Sequence, residues 1–147
     1  MPALSDDGAP PGPPLYATAL DVRWADMDAD GHVNNVAVLR YVEEARMRWA
    51  ASLGLAQAAP ALQPVVANLG CQYRQPIHYP ARLCIGIRCT RVGTSSLDLA
   101  FDICDARMPA RRYAEACVTW VWVDAVSKHP HPMPERLRTA CAAPPDA

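Results

Sequence analysis

The sequence predicts an α+β fold in which one antiparallel sheet covers one long helix. Three observations lead there. Five stretches alternate apolar and polar residues with period two, the mark of strands with distinct faces. One stretch, from about Val36 to Leu53, instead repeats its apolar residues at steps of three and four. The order is strand, helix, then four strands joined by short connections, which favours antiparallel neighbours and a single layered domain.

The first strand is expected from Tyr16 to Trp24, with Tyr16, Thr18, Leu20, Val22 and Trp24 on one side and Asp21 and Arg23 on the other. An acidic turn follows, Asp26 to Asn35, and then the helix. Leu39, Val42, Ala45, Trp49 and Leu53 form its apolar stripe, while Arg40, Glu44 and Arg48 follow another face at i, i+4 spacing. Asn34 or Asn35 suits the N-cap, because an asparagine side chain accepts from an orphan N–H of the first turn, and Gly54 suits the stop. Burying the five apolar side chains contributes about 8–15 kcal/mol before entropy is charged. Such a helix must lie against something large.

Four more alternating runs supply it: Val65–Arg74, Arg82–Cys89, Leu97–Ile103 and Ala114–Val123. Turn residues separate them at 76–80 (PIHYP), at Val92-Gly93-Thr94 and near Met108-Pro109-Ala110. The prolines of Lys128–Pro134 exclude regular helix and central strand there. A short helix is expected from Glu135 to Cys141, with Pro134 at its first position. Residues 1–14, rich in proline and glycine, read as a disordered tail, residues 15–141 as the one folded domain, and residues 142–147 as a C-terminal tail.

At 147 residues the chain is long enough to bury a core without disulfide or metal staples. A formal net charge of −1 gives no electrostatic footprint for nucleic acid or an anionic membrane. No apolar run approaches the roughly 20 residues of a membrane span, and the opening segment lacks the basic start and apolar middle of a signal peptide. The expectation is a cytoplasmic protein. The six cysteines (71, 84, 89, 104, 117 and 141) include no C-x-x-C pair and read as small, largely buried side chains.

The acidic turn carries the chemistry. Asp26-x-Asp28-x-Asp30-Gly31 matches the opening of a calcium loop, but the twelfth position, which should be a bidentate glutamate, is Ala37. His32, His78, His129 and His131 make no zinc spacing with cysteine. The other reading is catalytic. Asp28 stands just before a helix N-terminus, where the dipole favours a carboxylate and the N–H of Asn35 or a neighbour is available to an oxyanion. A carboxylate facing a polarised carbonyl attacks it or activates a water. Pattern alone allows equally that Asp28 and His32 only tie the turn together.

The run Val22-Arg23-Trp24-x-Asp26-x-Asp28-x-x-Gly31-His32-Val33-Asn34-Asn35, continuing to Tyr41-x-Glu43-x-Ala45-Arg46, resembles the hotdog-fold acyl-CoA thioesterases of the 4-hydroxybenzoyl-CoA thioesterase-like branch. Pro76, Gly93-x-Ser95-Ser96 and Val123-Asp124 match later landmarks, so the resemblance covers roughly residues 16–141. It implies a hotdog fold, a sheet wrapped around one long helix, and an oligomer, homodimer or homotetramer, with active sites between subunits. It implies thioester hydrolysis on acyl-CoA or acyl carrier protein, with no metal or other cofactor. Asp28 falls on the family's acidic catalytic residue and Asn35 near its backbone donor to the thioester carbonyl. His32 and Asn34 are expected to shape the turn or orient water. Plant acyl-carrier-protein thioesterases are similar here, with aspartate, asparagine and histidine at alternate positions; this chain has Asp28, Asp30 and His32. For the pantetheine and phosphate end the resemblance points to Gly93, Thr94 and Ser95, with charge from Arg91 and from Arg88, Arg111 and Arg112. Two residues depart from the family: Val38 replaces an aromatic, and Pro80-Ala81 replaces Gly-Asp. The rival implied function is a hotdog protein that binds acyl-CoA or acyl carrier protein without hydrolysing it.

Overall fold

A computed structural model of the chain describes residues 12–142. Most of the expected N-terminal tail, and residues 143–147 of the C-terminal one, therefore lie outside the described residues. The elements in order are β1 (Tyr16–Asp21), α1 (Asn35–Ser52), α2 (Leu55–Ala58), β2 (Leu62–Tyr73), β3 (Arg82–Val92), β4 (Ser96–Asp105), β5 (Arg112–Asp124) and α3 (Glu135–Ala142). The strands form one antiparallel sheet in the order β1-β3-β4-β5-β2. With one long helix in the sheet's concave face, this is the hotdog architecture that the resemblance implies. No helix among the described residues is long and apolar enough to cross a membrane.

The core is the inward face of the sheet closed over α1. Leu83, Ile85 and Ile87 of β3, Leu97, Leu99, Phe101 and Ile103 of β4, and Val118 and Trp120 of β5 are fully or almost fully buried, as their alternation requires. Val42, Ala45 and Trp49 of α1 meet them, and Leu137 of α3 and Met133 also join this core. Register shifts between Val66 and Asn68, Cys89 and Arg91, and Ile103 and Cys104 mark bulges, which bend strands and so help the sheet to wrap.

The helix is buried through a broader stripe than expected, Val38, Tyr41, Val42, Ala45, Arg46, Trp49 and Ala50. A helix wrapped by a curved sheet is covered on more than one stripe. Leu39 is only half-buried, because it faces a groove beside β2 that nothing within one chain fills. Arg46 is the unexpected core member: its guanidinium lies 5.5 Å from the centre of the Trp120 ring, a cation–π contact in place of solvent. Trp24 also departs from its expected place. The chain leaves β1 at Asp21 for a 3-10 turn, Trp24–Asp26, so the indole is exposed rather than on the core face. Pro134 precedes α3 instead of opening it, accepting from the Leu137 N–H, and the short α2 was not expected.

On the outer face of the sheet, Asp98, Asp102 and Glu115 are buried although their positions alternate with the core. Long arginine side chains cover them. Asp102 pairs with Arg88 and Arg112, Glu115 with Arg112 and Arg74, and Asp98 with Arg91.

Candidate active site at the N-terminus of the long helix

The turn before α1 is built by a nested set of bonds. An antiparallel bridge between Met27 and Val33 pinches off the five residues between them. Within it the Asp28 N–H donates to the His32 carbonyl at 3.0 Å and the Gly31 N–H to the Asp28 carbonyl at 3.2 Å. Gly31 has φ +83°, a left-handed conformation that a side chain would strain. The turn is then fixed to its surroundings, Val33 N–H to the Ile77 carbonyl at 2.8 Å and Asn34 N–H to the Asp26 carbonyl at 2.9 Å. Asn34 is the cap: its Oδ1 accepts from the Val36 N–H at 2.8 Å.

Each acid of the cluster has its own occupation. Asp26 is spent inside the fold, accepting from the Tyr41 hydroxyl at 2.6 Å and the Arg23 N–H at 3.0 Å. Burial, and then this bond, push the Tyr41 phenol well above its ordinary range. Asp28 keeps more freedom. Its Oδ1 accepts from the Asp30 N–H at 2.9 Å, while its Oδ2 stands 3.9 Å from His32 Nδ1, beyond hydrogen-bond reach. Both side chains stay partly open to solvent. Asp28, Asp30 and His32 offer one ligand atom each within 4.8 Å of one another, a grouping that could hold a cation. It is not a calcium loop of the helix–loop–helix kind, which takes six to eight oxygens. A strand and a 3-10 turn precede it, Asp26 is engaged elsewhere, and Ala37 lies inside the helix.

The structure thus brings together four of the expected residues, Asp28, His32, Asn34 and Asn35. Among the described residues nothing accepts from the Asn35 N–H, one of the orphan donors of the first turn. The Asn35 carbonyl is occupied, by the Tyr73 hydroxyl at 2.8 Å, which fastens the end of β2 to the helix start. Beside it opens a cavity of about 260 Å³ lined by His32, Val33, Asn35 and Val38 on one side and by Tyr73, Pro76, Ile77, Tyr113 and Ala114 among others. Val38 therefore faces the candidate acyl pocket. Tyr41, Tyr73 and the pocket wall of 73–77 were not singled out for the site from the sequence. Tyr41 and Asp26 lie 15 positions apart, a separation that carries no local signal.

The other expected group is elsewhere. Gly93, Thr94 and Ser95 join β3 to β4 at the far end of β3, about 33 Å from the end beside Asp28 at the usual rise per residue. The Gly93 and Thr94 carbonyls accept from Arg138 Nη2 at 3.0 and 2.9 Å, and the Ser95 carbonyl accepts from the Trp122 N–H at 2.7 Å. A Cβ on Gly93 would come 3.0 Å from the Ser96 carbonyl oxygen, a crowding that favours glycine in this tight turn. Arg91 is engaged there by Asp98 (2.7 Å) and Ser96 (3.0 Å), and its guanidinium is the first cause that holds the Asp98 carboxyl below the usual range.

Residues 22–141 match the family model of the thioesterase-like superfamily. Among solved structures the chain is similar to a Pseudomonas aeruginosa protein described as a candidate thioesterase, at 36% identity and a TM-score of 0.83, over 88% of this chain and 99% of that one. It is also similar to a candidate acyl-CoA thioesterase from Xanthomonas campestris, at 34% identity and a TM-score of 0.70, over 76% of this chain and 95% of that one. The uncharacterized protein YsmA of Bacillus subtilis is 32% identical over 86 residues, and the match spans only 58% of the length of that curated relative and 58% of this chain.

Proposed function

The chain belongs to the thioesterase-like superfamily, and we propose that it hydrolyses acyl-CoA thioesters to the free acid and coenzyme A, with Asp28 as nucleophile or general base. One juxtaposition carries this reading. A carboxylate with one oxygen free of hydrogen bonds stands on a turn bonded into the start of α1, and His32 of that turn and Asn35 of the helix line a cavity with a largely apolar wall. A thioester whose acyl group enters that cavity has its carbonyl oxygen at the positive end of the helix, where developing negative charge is stabilised. Asp28 then either attacks the carbonyl carbon, expelling the thiolate and leaving an anhydride for water to open, or takes a proton from a water that attacks instead. His32 and Asn34 hold the geometry of the turn.

The reading includes a second copy of the chain. β2 is paired on one side only, and Val65, Val66, Leu69 and Tyr73 remain 40–43% exposed along it. Antiparallel pairing of two such edges would carry the Gly93–Ser95 turn of one copy to the end of the sheet that holds Asp28 of the other. From there its backbone donors would meet the pantetheine arm, with Arg91 bracing the turn. All six cysteines are free thiols, which suits a reducing compartment such as the cytoplasm.

The test is free-thiol release from short, long, branched and aromatic acyl-CoAs by wild type and Asp28→Asn. Wild type should turn over at least one class, and the variant should lose about 10²–10⁴-fold in kcat with its fold intact. Labelled oxygen from water found in Asp28 after one turnover marks attack by the carboxylate; label confined to the product acid marks base catalysis. Binding without turnover on every ester would sink the reaction and favour a non-catalytic acyl-CoA or carrier-protein binder. The Asp30 N–H bond to Asp28, which ties the turn whatever the chemistry, is the observation on that side.

A further inference from the structure

The six cysteines fall into three neighbouring pairs, and the fold treats each pair differently. Cys71 and Cys117 belong to adjacent strands but point to opposite faces of the sheet, because Gly70 is the residue that stands opposite Cys117. Cys84 and Cys104 stand opposite each other in β3 and β4. Two residues along, the Ala106 N–H donates to the Arg82 carbonyl, which makes the cysteine pair a hydrogen-bonded position of the ladder. Cβ atoms at such a position are about 5.5 Å apart, against roughly 3.5–4.5 Å in a disulfide. Neither pair can be joined without moving the sheet.

Cys89 and Cys141 meet from a strand and a helix. Cys89 follows Leu83, Ile85 and Ile87 on the core-facing side of β3, opposite Leu99 and next to a bulge. Cys141 is one helical turn beyond Leu137, the fully buried residue of α3, and so lies on the same face. α3 packs on β3, and both cysteines are half-buried against the core. Their thiols are in contact. That of Cys141 donates to the Cys89 sulfur, and that of Cys89 donates to the Arg91 carbonyl at 3.5 Å. No ladder spacing holds this pair apart, so rotation about the Cα–Cβ bonds can set the geometry of a disulfide. The bond from Cys141 is the first cause that lowers the Cys89 pKa, against burial, and the first that raises that of Cys141. Cys89 is therefore the member that supplies the thiolate, the nucleophilic form.

We propose that Cys89 and Cys141 form a redox-sensitive pair, oxidised by a hydroperoxide to a disulfide that ties α3 to β3. The Cys89 thiolate attacks the terminal peroxide oxygen and breaks the O–O bond. The leaving oxygen takes the proton that Cys89 released, and Cys89 becomes a sulfenic acid. The Cys141 sulfur then attacks the sulfenic sulfur, and its proton leaves with the hydroxyl group as water. Two thiols have lost two electrons and the peroxide has gained them. A dithiol reverses the bond by exchange, and in a reducing compartment such disulfides are transient, redox-sensing ones. The consequence reaches the β3–β4 turn. Arg138 of α3 donates to the Gly93 and Thr94 carbonyls, and the Met133 N–H just before α3 donates to the Thr94 carbonyl. Tying α3 to β3 beside that turn stiffens it. The disulfide does not depend on the hydrolytic reading, and its test reads no turnover.

The experiment treats the full chain with hydrogen peroxide and maps crosslinked peptides by mass spectrometry. Wild type should lose the mass of two hydrogens, in a peptide pair joining Cys89 to Cys141 of one chain, and recover both thiols with dithiothreitol. Oxidised protein should melt about 5–15 °C above reduced protein, as for a crosslink that closes a long loop, and should exchange the amide hydrogens of residues 93–95 more slowly. With dimedone present, Cys141→Ser should be trapped as a sulfenic acid at Cys89, while Cys89→Ser should leave Cys141 unmodified. The mapping on wild type decides the matter even where a variant folds poorly. A crosslink between other cysteines or between two chains overturns the proposal, as does Cys89 passing to the sulfinic acid while Cys141 stays a thiol. So does no loss of thiols under peroxide that oxidises free cysteine. Unchanged melting and exchange in protein that carries the crosslink overturns the tie between α3 and the turn.

Discussion

The Tyr41 hydroxyl donates to the Asp26 carboxylate at 2.6 Å, joining the second turn of α1 to the acidic segment that precedes it. The Asp26 side chain is only 10% exposed, so removing its donor leaves a poorly solvated charge. Tyr41→Phe should therefore cost about 1.5–3 kcal/mol, the range for a hydrogen bond to a charged group. Urea denaturation checks the stability. Thiol release checks the consequence, because Asp28 sits two residues beyond Asp26 on the same turn.

Alkaline pH should destabilise the fold through its phenols. Burial, with the Cys71 thiol as the next cause, pushes the Tyr73 phenol up to about 12, and Tyr41 is raised further. An unfolded tyrosine ionises near pH 10. The folded protein thus holds a proton that the unfolded chain has released, so this stability is complete below about pH 10 and is lost as pH rises towards 12. Urea midpoints should fall more steeply between pH 10 and 12 for wild type than for Tyr73→Phe. Equal slopes would show that this phenol is not linked to folding.

In the proposed acyl pocket Val38 should set the depth. It is 2% exposed and lines the 260 Å³ cavity beside Asn35. Val38→Phe should fill much of that space, lowering kcat/KM for long or aromatic acyl-CoAs by about 10–200-fold while sparing acetyl-CoA. Crowding of the neighbouring core should cost about 1–3 kcal/mol. A uniform loss on every ester would mean that the side chain acts on the turn and not on the acyl group.

The open edge of β2 should hold two copies together. Val66 and Leu69 are exposed there and line a groove of about 350 Å³ with Val36, Leu39 and Val42 of α1. Val66→Asp with Leu69→Asp should convert a dimer to a monomer in sedimentation equilibrium, because the charges would be desolvated at the contact. Thiol release should fall with it if, as proposed, the Gly93–Ser95 turn of a second copy completes the site around Asp28. A wild type that sediments as a monomer at micromolar concentration would remove the shared site.

Apart from the short α2, the strand and helix order needed nothing beyond the sequence. Period two in β3, β4 and β5 is a local pattern that sets each residue's side by spacing, and the stripe on α1 was legible in the same way for Val42, Ala45 and Trp49. A cap at Asn34 or Asn35 and the Gly54 stop were legible for the same reason, since cap chemistry acts within one turn, and the structure chose Asn34. So was the gathering of Asp28, His32, Asn34 and Asn35, which lie close along the chain. Tertiary structure decided the rest. It spent Asp26 on Tyr41, laid Arg46 on Trp120, and set Val38 rather than Leu39 against the pocket. It also separated the arginines of the chain, Arg91 onto Asp98 and Arg111 into a cleft with His78 and Tyr113. A periodic pattern reports which side of an element is dry. Which partner waits on that side depends on contacts between residues far apart in sequence, and only the folded chain brings them together.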